Sequence, residues 1–171
     1  MVPSVFLSST FSDFTKERDI LRCFLPLVDV HVRCGENIGA TGCTLSKTLE
    51  QRIDDSDMVV LLIGTRYGCE DGGGTSWTQT EIEHAIRKKK PIFAYVRSPA
   101  VDHAGFVDRD EEKQVKLRAF VKMVEKSVHV VPRYTEGEYC HLVAMVIRDV
   151  DRHAETMRQE ERDRDYSDGF G

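Results

Sequence analysis

Met58-Val59-Val60-Leu61-Leu62-Ile63 decides the fold. A strand with one wet face alternates apolar and polar residues. This run does not alternate, so it reads as a strand covered on both faces. Such strands belong to parallel sheets flanked by helices, which predicts alternating strands and helices on either side.

The flanking sequence follows that pattern. Upstream, Thr44 opens a short helix with Leu45, Leu49 and Ile53 at i, i+4 and i+8. A loop holding Gly35, Gly39 and Gly42 precedes it, and residues 27–32 read as a second strand. Pro26 ends a first helix, capped by Ser12 or Asp13, that carries Phe14, Leu21, Phe24 and Leu25 on one side. Residues 2–7 read as the first strand, running into the polar group Ser8-Ser9-Thr10.

Downstream, residues 64–75 form a loop whose glycines at 72, 73 and 74 read as a flexible lid. They are no phosphate loop, because the required GK[ST] is absent. A helix begins near Ser76, where Ser76 and Gln79 fit a capping box, and Ile82, Ala85 and Ile86 form its apolar side. Residues 91–96 are a fourth strand, followed by a charged insertion to about Asp110. The next helix packs Val115, Phe120, Met123 and Val124, and residues 128–131 (VHVV) are a fifth strand. A last helix carries Tyr139, Leu142, Val143, Val146, Ile147 and Val150 at helical spacing. Beyond Val150 the apolar face stops. Residues 1–150 therefore read as one α/β domain and 151–171 as a charged helical extension or linker.

Five strands joined this way predict a mainly parallel, flavodoxin-like sheet of order 2-1-3-4-5. Ligands in such sheets bind beyond the strand carboxyl ends, where the winding reverses. Those ends are Ser8, Ser9 and Thr10 on one strand, and Gly64, Thr65, Arg66 and Tyr67 on its neighbour. Trp77 and Glu81 follow directly. Four residues apart on a helix, they share a face. An indole offers a flat apolar wall and the carboxylate a negative charge, a pairing that suits a nucleotide. Trp77 stacks on a ligand ring or packs beneath the loop as satellite core. Ser8, Ser9 and Thr10 hold phosphate or ribose at a helix N-terminus, or serve as turn and cap residues. Phe11 and Gly64 stand at the same tips and are counted with them. Arg66 pairs with a phosphate, or with Asp13 or Asp57 to fix the loops. Tyr67 lids the pocket or packs. Arg18 and Asp19 read as a pair pinning the first helix, and His84 as a surface or rim residue.

The net charge of −5 gives no case for duplex nucleic acid, which needs a concentrated basic surface. The basic run at residues 87–90 sits at a helix C-terminus, where cations favour the helix dipole. Five irregularly spaced cysteines signal neither a zinc site nor a disulfide framework. No apolar run approaches the roughly 20 residues of a membrane span. With no signal peptide expected, the setting is a reducing, cytoplasmic one.

Three blocks of this sequence resemble a known family. Residues 5–14 (VFLSSTFSDF) with Glu17-Arg18-Asp19 are similar to its opening signature. Ser56-Asp57, VVLLIG and Thr65-Arg66-Tyr67-Gly68 resemble its second block. Residues 76–85 with Lys90-Pro91 resemble its third, although Gln79 stands where the family usually has Glu. The family is the TIR-like "domain of unknown function" found at the head of signalling proteins. There it precedes a NACHT or related STAND-type NTPase and WD or tetratricopeptide repeats. The resemblance implies a TIR-like fold, self-association, and NTPase and repeat domains on the same full-length chain. Enzymatic TIR domains cleave NAD at the nicotinamide-ribose bond with a Glu that ends a WxxxE pattern, which Trp77 and Glu81 satisfy. By resemblance, Glu81 is then the catalytic carboxylate and NAD the substrate, with no resident cofactor or metal. Two rivals stay open: a non-catalytic interaction module, and an enzyme like the nucleoside deoxyribosyltransferases.

Overall fold

In the computed structural model the MVVLLI run is β3 (Met58–Ile63), buried at every residue. The structure describes residues 2–10, 13–34, 42–98, 110–128, 132–135 and 137–168. β3 lies between β1 (Ser4–Ser9) and β4 (Ile92–Ser98), parallel to both. The edges are β2 (His31–Cys34) beside β1 and β5 (Arg133–Thr135) beside β4. The sheet is parallel throughout, with the predicted order 2-1-3-4-5.

Side-chain alternation divides the core into two layers. Val5, Leu7, Met58, Val60, Leu62 and Tyr95 face one side, which α1 (Thr15–Phe24) and α5 (Tyr139–Asp168) cover with Leu21, Leu142, Val146 and Val150. Phe6, Val59, Leu61, Ile63, Ala94 and Val96 face the other. There α2 (Gly42–Asp54), α3 (Trp77–Arg87) and α4 (Glu111–Ser127) supply Leu49, Ile53, Ile82, Ala85, Phe120 and Val124. An uninterrupted apolar run is thus what a strand between two helical layers requires.

Several expectations are corrected. Residues 25–28 are a 3-10 helix, not the start of the second strand. Pro26 sits at its first turn, where the fixed φ suits a helix, and Asp29 leaves it in the left-handed region at φ 53°. Leu27 is consequently 75% exposed. The fifth strand is Arg133–Thr135, beyond the VHVV segment, of which residues 129–131 lie outside the described residues. Only Tyr134 of this short edge strand is buried, so it leaves almost no apolar signal. Phe24 and Val115 are exposed and do not belong to the core. Phe14 occupies the cap position of α1 with no side-chain cap, and Asp13 is used elsewhere. Ser12 and the glycines at 35 and 39 lie outside the described residues.

The apolar face of α5 does not stop at Val150. Ala154 is fully buried and Met157 packs on the same layer. One turn further, Arg158 Nη2 donates to the carbonyls of Val28 (3.0 Å) and Asp29 (3.1 Å), holding the helix to the 3-10 corner. The basic run also has local duties. Lys88 Nζ donates to Asp54 Oδ2 at 2.9 Å, and Lys90 Nζ to the carbonyls of Asp54 and Ser56 at 2.8 and 2.6 Å. Among the described residues no helix is long and apolar enough to cross a membrane.

Candidate active site

The tip of β1 places two adjacent serines on opposite faces of the sheet. Ser8 follows the register of Phe6 toward α2 and α3, and Ser9 follows Leu7 toward α1. Ser8 is buried, and its Oγ donates to Glu81 Oε2 at 2.5 Å. Ser9 Oγ accepts from Arg18 Nη1 at 2.6 Å.

Glu81 reaches Ser8 because of where α3 starts and which stripe it buries. Ser76 caps the helix in an extended conformation, its Oγ accepting from Gln79 N at 3.2 Å. Thr78, Ile82 and Ala85 are buried, and Glu81 lies in that stripe, three residues after Thr78 and four before Ala85. Burial pushes the Glu81 carboxyl up to about 7 from 4.5. The Ser8 hydrogen bond and the positive charge of Arg18 pull it down and offset part of that rise. The result is a carboxyl group that titrates near neutrality, a property common at catalytic positions.

Trp77 lies one turn before Glu81. It packs against the α2/α3 core layer, and with Leu49, Ile53 and Thr80 it walls a hollow about the size of one water that Glu81 also lines. Its backbone N–H bonds Cys69 O at 3.1 Å, closing the loop onto the helix.

The other strand tip is stitched to the first. Arg66 N donates to Asp13 Oδ2 at 3.1 Å, and Arg66 Nε lies 3.5 Å from Asp13 Oδ1. Arg66 thus takes the loop-fixing partner, with its side chain still 33% exposed. Thr10 Oγ1 donates to Arg66 O at 3.4 Å. Gly64 is where Asp13 and Phe14 close in: an added Cβ would stand 2.6 Å from Asp13 Oδ2 and 3.0 Å from the Phe14 ring. Tyr67 is buried, and its hydroxyl donates to Gln79 Oε1 at 2.8 Å. Gln79 Nε2 in turn donates to Glu83 Oε1 at 2.7 Å. The amide therefore bridges a hydroxyl and a carboxylate, a task that needs both a donor and an acceptor. Phe11 lies outside the described residues.

Two further expectations change. His84 is no rim residue: it is buried, with Nε2 2.8 Å from Asp54 Oδ1 and Nδ1 3.2 Å from Arg87 Nη2. The glycine run is a tied turn. Asp71 Oδ1 accepts from Gly73 N (2.8 Å) and Thr75 N (3.1 Å), and Lys116 Nζ on α4 donates to Gly74 O at 3.1 Å. No cluster of three or more His, Cys, Asp or Glu suited to a metal ion occurs among the described residues.

Sequence reasoning missed Arg18 as a neighbour of the site and Arg97 altogether. Arg97 is buried on β4, donates to Asp13 O at 2.7 Å, pairs with Glu17 on α1, and stacks 4.3 Å over the Phe14 ring. It holds α1, and with it Asp13 and Arg18, against the strand tips. Arg97 follows the last apolar residue of β4, where nothing in the local sequence marks a charged side chain as buried.

A parallel five-stranded sheet of this order, covered by helices on both faces, defines a flavodoxin-like α/β domain. The chain belongs to the family described as Domain of unknown function (DUF4062), which matches residues 4–162. Its fold is similar to that of the TIR domains in the activated Roq1 resistosome directly recognizing the pathogen effector XopQ. The identity is 16% and the TM-score 0.56, over 86% of this chain and 99% of that one. It is also similar to a CMP N-glycosidase of Clostridium botulinum, at 15% identity and a TM-score of 0.51, over 84% of this chain and 96% of that one. At these identities the likeness is one of fold. No curated protein matches the sequence with significance.

Proposed function

We propose that this domain binds NAD or a related nucleotide at the β1 and β3 tips and hydrolyses its N-glycosidic bond, with Glu81 as the catalytic carboxylate. The observation that carries the reading is the Ser8–Glu81 hydrogen bond, which holds a near-neutral carboxyl group at the carboxyl edge of a parallel sheet. When the bond from ribose C1′ to nicotinamide breaks, its electron pair leaves with the ring nitrogen and cancels the pyridinium charge. Positive charge builds on the ribose, and an ionised Glu81 stabilises it. Water then attacks C1′ and gives up a proton, yielding ADP-ribose, nicotinamide and H⁺. Glu81 can accept that proton as general base, since it titrates near the working pH. Ser8 positions one carboxyl oxygen and leaves Oε1 for this chemistry. Trp77 walls the hollow that Glu81 lines, and Ser9, Thr10 and Arg66 at the strand tips are assigned the ribose and phosphates.

A second reading is supported by the similar TIR domains, which sit within an assembled resistosome. Here the domain works by self-association at the head of a longer signalling chain that includes a NACHT-type NTPase. The two readings are compatible where clustering completes the site.

Nicotinamide release from NAD by the purified domain, free and artificially clustered, tests the proposal, with CMP and deoxynucleosides as alternative substrates. Release that falls by about 100-fold or more in Glu81→Gln, with the fold intact, supports the hydrolase. NAD left intact in both states rejects it in favour of the interaction module. Base release from CMP or deoxynucleosides alone changes the substrate class.

A further inference from the structure

A second hollow of about 410 Å³ opens between the β3 and β4 tips and α4. That volume suits a small ligand, and the place is again the carboxyl edge of the sheet. It shares no lining residue with the hollow beside Glu81. Its apolar wall is Val96, Leu117 and Val121. Arg118 and Lys122 also line it, four residues apart and hence on one face of α4.

The charge balance of this cleft is uneven. Among the described residues its one carboxylate, Glu125, is already paired with Arg133 at 2.9 Å, and Arg97 is matched by Glu17. Arg118 and Lys122 have no ion-pair partner among the described residues. Two uncompensated cations therefore stand over an apolar wall in a chain whose net charge is −5. Cations so placed form charge-assisted hydrogen bonds with phosphate oxygens, and the wall accepts a flat or apolar remainder.

We propose that this cleft binds an organic phosphate of mononucleotide size, with Arg118 and Lys122 holding the phosphate and Val96, Leu117 and Val121 receiving the base. Gly64 and Thr65 of the β3 tip also line this cleft, so it adjoins the nucleotide site proposed above while lying apart from Glu81 itself.

Isothermal titration calorimetry with AMP tests it, using the whole chain carrying Glu81→Gln so that turnover plays no part. The expected result is saturable binding that inorganic phosphate competes for and that adenosine does not reproduce. Adding Arg118→Glu and Lys122→Glu should weaken AMP binding at least about tenfold, which is about 1.4 kcal/mol. Both side chains are exposed, and a thermal melt verifies folding; Arg118→Ala is the milder second variant. AMP that fails to bind, adenosine that binds equally well, or binding unaffected by both the double and the single variant overturns the proposal. Each of these outcomes leaves the Glu81 reading untouched, because that reading is decided by nicotinamide release.

Discussion

Ser8 and Glu81 are 73 residues apart in the chain, yet the serine hydroxyl donates a 2.5 Å hydrogen bond to the carboxyl group. The bond joins the first strand to the third helix at the sheet's carboxyl edge. Burial raises the Glu81 pKa, and this bond offsets part of that rise.

A pH profile follows from that opposition. With the ionised carboxylate as the working form, nicotinamide release rises with pH and levels off above about 7. Ser8→Ala removes an interaction that lowers the pKa, so the midpoint moves to higher pH. Rate against pH for both proteins checks this; an unchanged or acid-shifted midpoint counts against it.

Stability carries the opposite sign. Glu81 is raised from 4.5 to about 7 in the folded protein, so between those values the native state keeps a proton that the unfolded chain has released. Its contribution is fully present below 4.5 and is lost as pH rises through about 7. The shift corresponds to about 3 kcal/mol. Urea midpoints at about pH 5 and about pH 8 should therefore differ more in the wild type than in Glu81→Gln, which cannot ionise.

Gly64→Ala should destabilise by about 1 to 3 kcal/mol, as overpacking does. The new methyl would sit 2.6 Å from Asp13 Oδ2 and 3.0 Å from Phe14. Chemical denaturation measures the loss; a neutral result would show that Asp13 yields freely.

Arg97→Met should cost about 3 to 5 kcal/mol, because it strands Glu17 inside the protein. Glu17→Leu added to it should restore part of that loss. A double-mutant cycle by urea unfolding reads the coupling, and strict additivity would deny that the pair acts as a unit.

Legibility in the sequence followed the strength of the local pattern. MVVLLI named a central strand because six apolar residues have few other uses, and Ser76 named the start of α3 because capping is local chemistry. Arg133–Thr135 was missed because a three-residue edge strand with one buried side chain has no period to detect. Residues 27–32 misled because an apolar run flanking a proline fits a 3-10 turn as well as a strand. Ala154 and Arg158 were lost in a charged background, although one small buried residue and one long side chain suffice to hold a helix down.

The sequence by itself determined the order of the elements, the parallel sheet they build, and the gathering of polar residues at two strand tips. These follow from periodicity and turn chemistry, which act over a few residues. Only the tertiary structure decided that Ser8 and Ser9 serve opposite faces, that Glu81 meets Ser8, and that Arg18 stands near both. It alone decided that the Glu81 carboxyl titrates near neutrality, because desolvation depends on everything packed around a group and on no single stretch of chain.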